Sequence, residues 1–220
     1  MSSMLTLVIG NKNYSSWSLR PWLLLRHFQV PFAEVRLPLD TPTFRDDVFR
    51  YSPSGRVPVL HDGDLVVWDS LAICEYVNES VLDGRGWPAD RRQRARARSA
   101  AAEMHSGFAA LRTQLPMNCR RTPDAYRWNA DAQQDIDRVQ ALWRELRRDG
   151  GRGGEFLCGE FGIVDAMFAP VAMRFRGYGV SLEPESQAYM DALLRLPSLR
   201  EWDAAALEES ERLEKYESLK

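Results

Sequence analysis

Apolar and polar positions follow two alternating periods along the first eighty residues and settle to one period thereafter. Residues 4–9 form a β-rich run closed by Gly10 and predict a strand. Over 17–28 the apolar positions Trp22, Leu23, Leu25 and Phe28 take helical spacing, with Ser16 or Ser18 as the N-cap. Pro21 fits that helix only if it starts late enough to leave the proline near the first turn. Residues 34–37 predict a second strand, and 42–49 hold one or two helical turns. Residues 57–60 and 65–68 flank Asp62-Gly63, the signal of a tight antiparallel hairpin. Residues 70–77 then predict a helix with Leu71, Cys74 and Val77 on one face. The order β-α-β-α-β-β-α requires a parallel pair across the first crossover and an antiparallel pair at the hairpin. The expected product is a small mixed sheet with helices packed on it.

Residues 81–88, which include Asp83-Gly84-Arg85-Gly86-Trp87-Pro88, have the composition of a linker, and strand signals nearly vanish beyond them. Residues 89–111 predict one long helix rich in Ala and Arg. Ile136, Val139, Trp143 and Leu146 mark one face of a second long helix, stopped by Asp149-Gly150-Gly151. Residues 163–175 read as a buried central helix with few charges, and 184–196 and 198–207 as two more. The chain is therefore expected to be α+β, with a mixed-sheet domain over 1–80, a linker, and an all-helical domain over 89–220.

At 220 residues the chain can bury a full core. Its 45% hydrophobic content and formal net charge of −2 suit a soluble globular protein and supply no field to draw nucleic acid or an anionic membrane. Neither is expected as a partner. The five arginines between 91 and 98 lack the interleaved aromatics of a nucleic-acid patch and are assigned to a solvated or dimer-facing helix surface. No apolar run approaches the ~20 residues of a spanning helix, and the start shows no signal-peptide pattern. Cys74, Cys119 and Cys158 are scattered without metal-ligand spacing, so free thiols in a reducing cytoplasm are expected, and no metal. No G-x-G-x-x-G or Walker loop is present.

Three stretches carry chemistry. Tyr14-Ser15-Ser16-Trp17-Ser18-Leu19-Arg20 places hydroxyls where a strand hands over to a helix. Pro58 interrupts an apolar run; an X-Pro bond can be cis for about 0.5–1 kcal/mol and so turn the Val57 backbone groups toward an extended peptide. An ordinary trans proline on an edge strand is the alternative. Asp69 and Ser70 open a helix, where free N–H groups favour an anion, although a plain N-cap pair uses the same residues. Together these features suit a peptide-like thiol with an acidic end.

In these stretches the chain resembles the glutathione transferase superfamily, with the closest similarity to its zeta-like bacterial branch. The Ser-Ser-Cys-x-x-Arg motif of that branch appears as Ser15-Ser16-Trp17-Ser18-Leu19-Arg20, with Trp17 in place of the cysteine. Val57-Pro58 matches the Val-Pro before the third strand, and Asp69-Ser70, followed by Leu71-Ala72-Ile73, matches the start of the third helix. The N-capping box of the core helix appears as Gly162-Ile163-Val164-Asp165. The resemblance implies a thioredoxin-like N-terminal domain, a helical C-terminal domain, a homodimer, a role in detoxification and a cis Val57–Pro58 bond.

It further implies glutathione as co-substrate, with its backbone read by Val57 and Pro58, its γ-glutamyl carboxylate held by Ser70 and its ammonium by Asp69. Arg56 suits the glycyl carboxylate. Ser15 aligns with the serine that stabilises the thiolate; Ser16 is its alternative and Tyr14 a third candidate. A free thiol with a pKa near 8.5 is only about 3% ionised at pH 7. One charge-assisted hydrogen bond, about 1.5–3 kcal/mol, lowers that pKa by roughly one to two units. Trp17 removes the thiol that disulfide exchange needs and leaves thiolate addition to a small electrophile. The alternatives are a maleylacetoacetate-type cis-trans isomerase and a non-catalytic binding module of the same shape. Trp17, Met104, His105, Met117, Asn118 and Arg120 are the candidates for the electrophile pocket. His105, with Ala102 and Phe108 at helical spacing, also reads as a core histidine, and Arg120 as an exposed loop arginine.

Overall fold

The computed structural model describes residues 4–150 and 153–219. The first half runs β1 (Leu5–Ile9), α1 (Ser16–His27), β2 (Phe32–Arg36), α2 (Phe44–Phe49), β3 (Val59–Asp62), β4 (Leu65–Val67) and α3 (Ser70–Ser80). The four strands form one sheet in the order β2-β1-β3-β4. β1 is parallel to β2 and antiparallel to β3, and β3 and β4 make the hairpin, with Gly63 at φ 60° in its turn. Alternation in β1 sorts the two faces. Leu5, Leu7 and Ile9 join the main core with α1 and α3, while Val8 meets Val59 and Val48 of α2 on the other side.

Two local expectations fail here. The third strand starts at Val59 rather than at 57, because Val57–Pro58 is cis and Pro58 has no N–H to give a ladder. Helix α1 starts early, at Ser16 with Ser15 in the cap position, so Pro21 lies in the helix interior. Such a proline costs about 3 kcal/mol. Complete burial of Leu19, Leu23, Leu24 and Leu25, each worth about 1.5–3 kcal/mol, outweighs it.

The second half is helical: α4 (Arg91–Ser106), α5 (Ala109–Gln114), α6 (Ala130–Gly150), α7 (Ile163–Tyr178), α8 (Pro184–Arg195), α9 (Pro197–Glu208) and α10 (Glu214–Glu217). The single helix expected over 89–111 is broken. A Cβ at Gly107 would lie 2.9 Å from the Glu103 carbonyl oxygen, and Phe108 takes the left-handed conformation at φ 60°, which redirects the chain into α5. In α6 the positions Ile136, Val139, Trp143 and Leu146 are all buried, as their spacing predicts. The proposed stop at Gly151 lies outside the described residues. Helix α7 is buried along nearly its whole length and packs against α1, α4 and α8. No helix among the described residues is long and apolar enough to cross a membrane.

The N-terminus of α7 is built on Asp165. Its Oδ2 accepts the Gly162 N–H at 2.9 Å, and its Oδ1 accepts the Leu157 N–H and the Tyr189 hydroxyl, both at 3.0 Å. Gly162 has no side chain to complete the box. Burial pushes the Asp165 carboxyl up to about 6, against the opposing pull of these donors.

Candidate functional site

The loop between β1 and α1 brings Ser15 and Ser16 to the first turn of α1, both buried. Ser15 Oγ donates to Ser18 Oγ at 2.7 Å, and Ser18 Oγ also accepts the Gly10 N–H at 3.1 Å. Ser15 therefore tightens the loop instead of capping a backbone N–H. Ser16 Oγ accepts from Arg174 Nη2 at 3.3 Å. Tyr14 is committed elsewhere. Its hydroxyl donates to Glu217, and it accepts from Arg120 Nη2 at 2.9 Å and from the Leu213 N–H at 3.1 Å. Burial and the Glu217 carboxylate hold the Tyr14 phenol above its ordinary pKa.

Two cavities meet at this loop. One, of about 730 Å³, is lined by Pro58, Trp68, Asp69, Ser70 and Ala72. The other, of about 360 Å³, is lined by Tyr14, Ser15, Ser16, Met117, Arg112 and Arg174, together with Leu213, Lys215 and Tyr216 from the C-terminal segment. Trp17, Arg56 and Val57 belong to both walls. Asp69 is the N-cap of α3: its Oδ1 accepts from the Leu71 and Ala72 N–H groups. Ser70 is fully buried and accepts from Arg20 Nη1 at 3.5 Å.

His105 is neither a core histidine nor a cavity-lining residue. Phe108, its expected helical neighbour, is outside α4, and His105 faces Trp17 of α1 and the Asp69 cap of α3. Its Nε2 lies 2.8 Å from Asp69 Oδ2, and its ring meets the Trp17 edge at 5.3 Å. Burial holds its pKa below the ordinary histidine value despite Asp69, so a neutral ring donates to the carboxylate at neutral pH. Trp17 lies against two guanidinium groups, Arg20 at 4.3 Å and Arg112 at 4.6 Å from its ring centre. Trp17→Ala is expected to cost about 1–3 kcal/mol, the worth of two partly desolvated cation–π contacts, measured by urea denaturation.

Met104, Asn118 and Arg120 do not line either cavity. Met104 is wholly buried on the core face of α4. Asn118 Oδ1 accepts from Asn13 Nδ2 at 2.9 Å, and its amide donates to Glu217 Oε2 at 3.2 Å. Arg120 binds the carbonyls of Ala206, Glu209 and Glu211 besides Tyr14. Both side chains fasten the C-terminal segment over the loop at 12–14. That segment, and the buried Arg174, had no role assigned from the sequence. For Arg174 a signal existed: apart from the capping Asp165 it is the one charge among the apolar positions of 163–175. The three cysteines are free, and burial pushes the thiols of Cys119 and Cys158 up to about 12, so neither is a nucleophile near neutral pH.

A sequence model described as the glutathione S-transferase N-terminal domain matches residues 14–80, and one described as the C-terminal domain matches 89–202. The chain belongs to the glutathione S-transferase family. Glutathione S-transferase GstB of Escherichia coli is 24% identical over 199 residues, which span 88% of this chain and 96% of that protein. Dichloromethane dehalogenase of Methylorubrum extorquens is 46% identical over a stretch of 59 residues, 26% of this chain and 20% of that protein. In three dimensions the chain is similar to a glutathione transferase homolog from Burkholderia gl BGR1 solved with bound glutathione. That likeness has a TM-score of 0.72 at 22% identity, covers 94% of this chain and 100% of that one, and speaks for the fold.

Proposed function

We propose that this glutathione S-transferase family member is a cytoplasmic, serine-type enzyme of zeta-like character that adds the glutathione thiolate to a small electrophile. The observation that carries the reading is the shared wall of Trp17, Arg56 and Val57 between the two cavities. A ligand whose amino-acid end lies at Asp69 and Ser70 and whose backbone pairs at Val57 reaches with its sulfur toward Ser15 and Ser16. The dipole of α3 and the Ser70 N–H, which the Asp69 cap leaves over, favour the γ-glutamyl carboxylate, and Asp69 Oδ2 retains a lone pair beside His105 for the ammonium group. Arg56 offers a cation to the glycyl carboxylate. Trp17 and Met117 face the space left for the electrophile.

Calorimetric titration with glutathione tests the reading. Binding is expected, and its absence would remove the proposal. Replacing the donor serine by alanine should raise the pH at which the bound thiol ionises by about one to two units, followed by ultraviolet absorbance. A homodimer is the expected assembly, measured by light scattering.

A second reading draws on the charge of the smaller cavity. Arg56, Arg112, Arg174 and Lys215 line it against a single acid, Asp40, which is itself paired with Lys215. This excess suits an electrophile that carries carboxylates, and so a cis-trans isomerisation of an unsaturated diacid by reversible thiolate addition. Turnover of maleylacetoacetate, compared with that of neutral electrophiles such as dichloromethane, separates the two activities.

A further inference from the structure

Arg174 projects from the core helix α7 and is 5% exposed. Three acceptors fix its guanidinium: the Leu115 carbonyl takes Nε at 2.7 Å, the Pro170 carbonyl takes Nη1 at 3.3 Å, and Ser16 Oγ takes Nη2 at 3.3 Å. Among the described residues no carboxylate lies within ion-pair distance of it. The groups that act on its charge are Arg112 from α5, Arg20 from α1, Tyr178 of its own helix, Cys119 from the 115–129 connection and Tyr216 from α10. Burial, reinforced by the Arg112 charge, lowers its pKa to about 10, which leaves it fully protonated at neutral pH. A buried cation without a counter-ion is costly to keep. Here it stands at the wall of a cavity that an anion can enter.

The two serines of the loop differ in what their hydrogens do. Ser15 spends its O–H on Ser18. Ser16 takes a charged donor on its oxygen, and among the described residues its own hydrogen has no protein acceptor. A hydroxyl oxygen that accepts from a cation is a stronger donor in turn, because the bonds polarise one another.

We propose that Arg174 is a positioning residue that acts through Ser16: by holding the Ser16 oxygen from one side, it directs the hydroxyl hydrogen to the glutathione sulfur. The inference rests on the reading that glutathione binds with its sulfur at this loop. No covalent step is involved. The glutathione thiol releases its proton to water, and Ser16 and Arg174 keep theirs throughout. The charged groups facing the sulfur site are Arg56, Arg112, Arg174 and the Lys215–Asp40 pair, with Tyr14 and Tyr216 as the nearby titratable hydroxyls.

The test is ultraviolet titration of bound glutathione in the full-length protein and in Ser15→Ala, Ser16→Ala, Arg174→Met and the Ser16→Ala/Arg174→Met double variant. Glutathione affinity is followed by calorimetry and folding by thermal denaturation. Ser16→Ala should raise the thiol pKa by one to two units, a ten- to hundredfold loss of thiolate at fixed pH, and by more than Ser15→Ala does. Arg174→Met should raise it by about one unit, and the double variant by no more than the larger single change, because the two residues act in series. Arg174→Lys, which keeps the charge but loses the planar fork, should fall between Arg174→Met and the parent; it replaces Arg174→Met if that variant does not fold. A larger shift in Ser15→Ala than in Ser16→Ala, or an unshifted pKa in a folded Arg174 variant, overturns the inference. The glutathione reading survives either result, since the bound thiol still titrates. Failure of the parent protein to bind glutathione removes both.

Discussion

Asp165→Ala is expected to destabilise the protein by about 3 kcal/mol or more, because it strips three buried donors of their acceptor at once. The Gly162 N–H, the Leu157 N–H and the Tyr189 hydroxyl all converge on that carboxylate, and Asp165 is completely buried. Each orphaned buried donor costs about 1–3 kcal/mol. For a chain of this length the loss corresponds to a fall of roughly 6–12 °C in Tm, and urea denaturation gives the free energy directly. The effect also depends on pH in a definite direction. The folded pKa of Asp165, about 6, lies above its unfolded value. Between the two values the folded state binds more protons than the unfolded one. The group's contribution is therefore fully present below pH 4 and is lost as pH rises through 6, by an amount on the order of 3 kcal/mol. The gap between parent and Asp165→Ala should accordingly narrow from pH 4 to pH 7. A constant gap would mean that the carboxylate is ionised throughout the range.

Arg120→Ala is expected to release the C-terminal segment and to cost about 2–4 kcal/mol. The guanidinium reaches Glu209 O at 2.7 Å, Glu211 O and the Tyr14 hydroxyl at 2.9 Å, and Ala206 O at 3.3 Å. Hydrogen bonds from a charged donor are individually worth about 1.5–3 kcal/mol, reduced here because the freed carbonyls can reach water. Glu209 on the Lys12 and Asn13 N–H groups, Glu217 on Tyr14 and Asn118, and the Arg36–Glu211 and Lys215–Asp40 pairs remain, but none of them ties the carbonyls of 206–211 that Arg120 gathers. Limited proteolysis reads the outcome: cleavage within 209–219 should accelerate while the remainder of the chain stays resistant. The smaller cavity would then lose Leu213, Lys215 and Tyr216 from its wall. Unchanged cleavage with intact stability would show that the segment is held by other contacts.

The sheet and the central helix were legible because each depends on local chemistry that repeats. Alternation in β1, the Asp62-Gly63 hairpin signal and the apolar, charge-poor stretch of α7 each specify their element without reference to a distant partner. Pro21 misled for the opposite reason: its local cost is real, and only the packing of α1 against α3, α7 and α9, in one core with the β1 leucines, reveals what offsets it. The break at Gly107 lay hidden in a sequence whose Ala and Arg content continues past it. The C-terminal segment gave no periodic signal, since its acidic side chains bind backbone N–H groups and arginines some two hundred positions away. In the site, Ser15, Ser16, Trp17, Val57, Pro58, Asp69 and Ser70 could be picked out by motif, Arg56 and Met117 only by their place in the resemblance, and the structure gathers them at the two cavities. His105 and Arg120 could not be placed, because their partners, Asp69 and the 206–211 carbonyls, follow from tertiary geometry alone.

The loop that presents the serines is held mostly from outside the domain in which it lies. The Lys12 carbonyl accepts from Trp202, the Lys12 and Asn13 N–H groups bind Glu209, and the Asn13 carbonyl accepts from the Cys119 N–H. Across such a seam the two halves of the chain are not exchangeable parts. Grafting this N-terminal half onto the helical half of another transferase would carry over every hydroxyl and the proline, yet leave the loop without its moorings. In this chain a change in either half is therefore constrained by the hydrogen-bonding groups of the other.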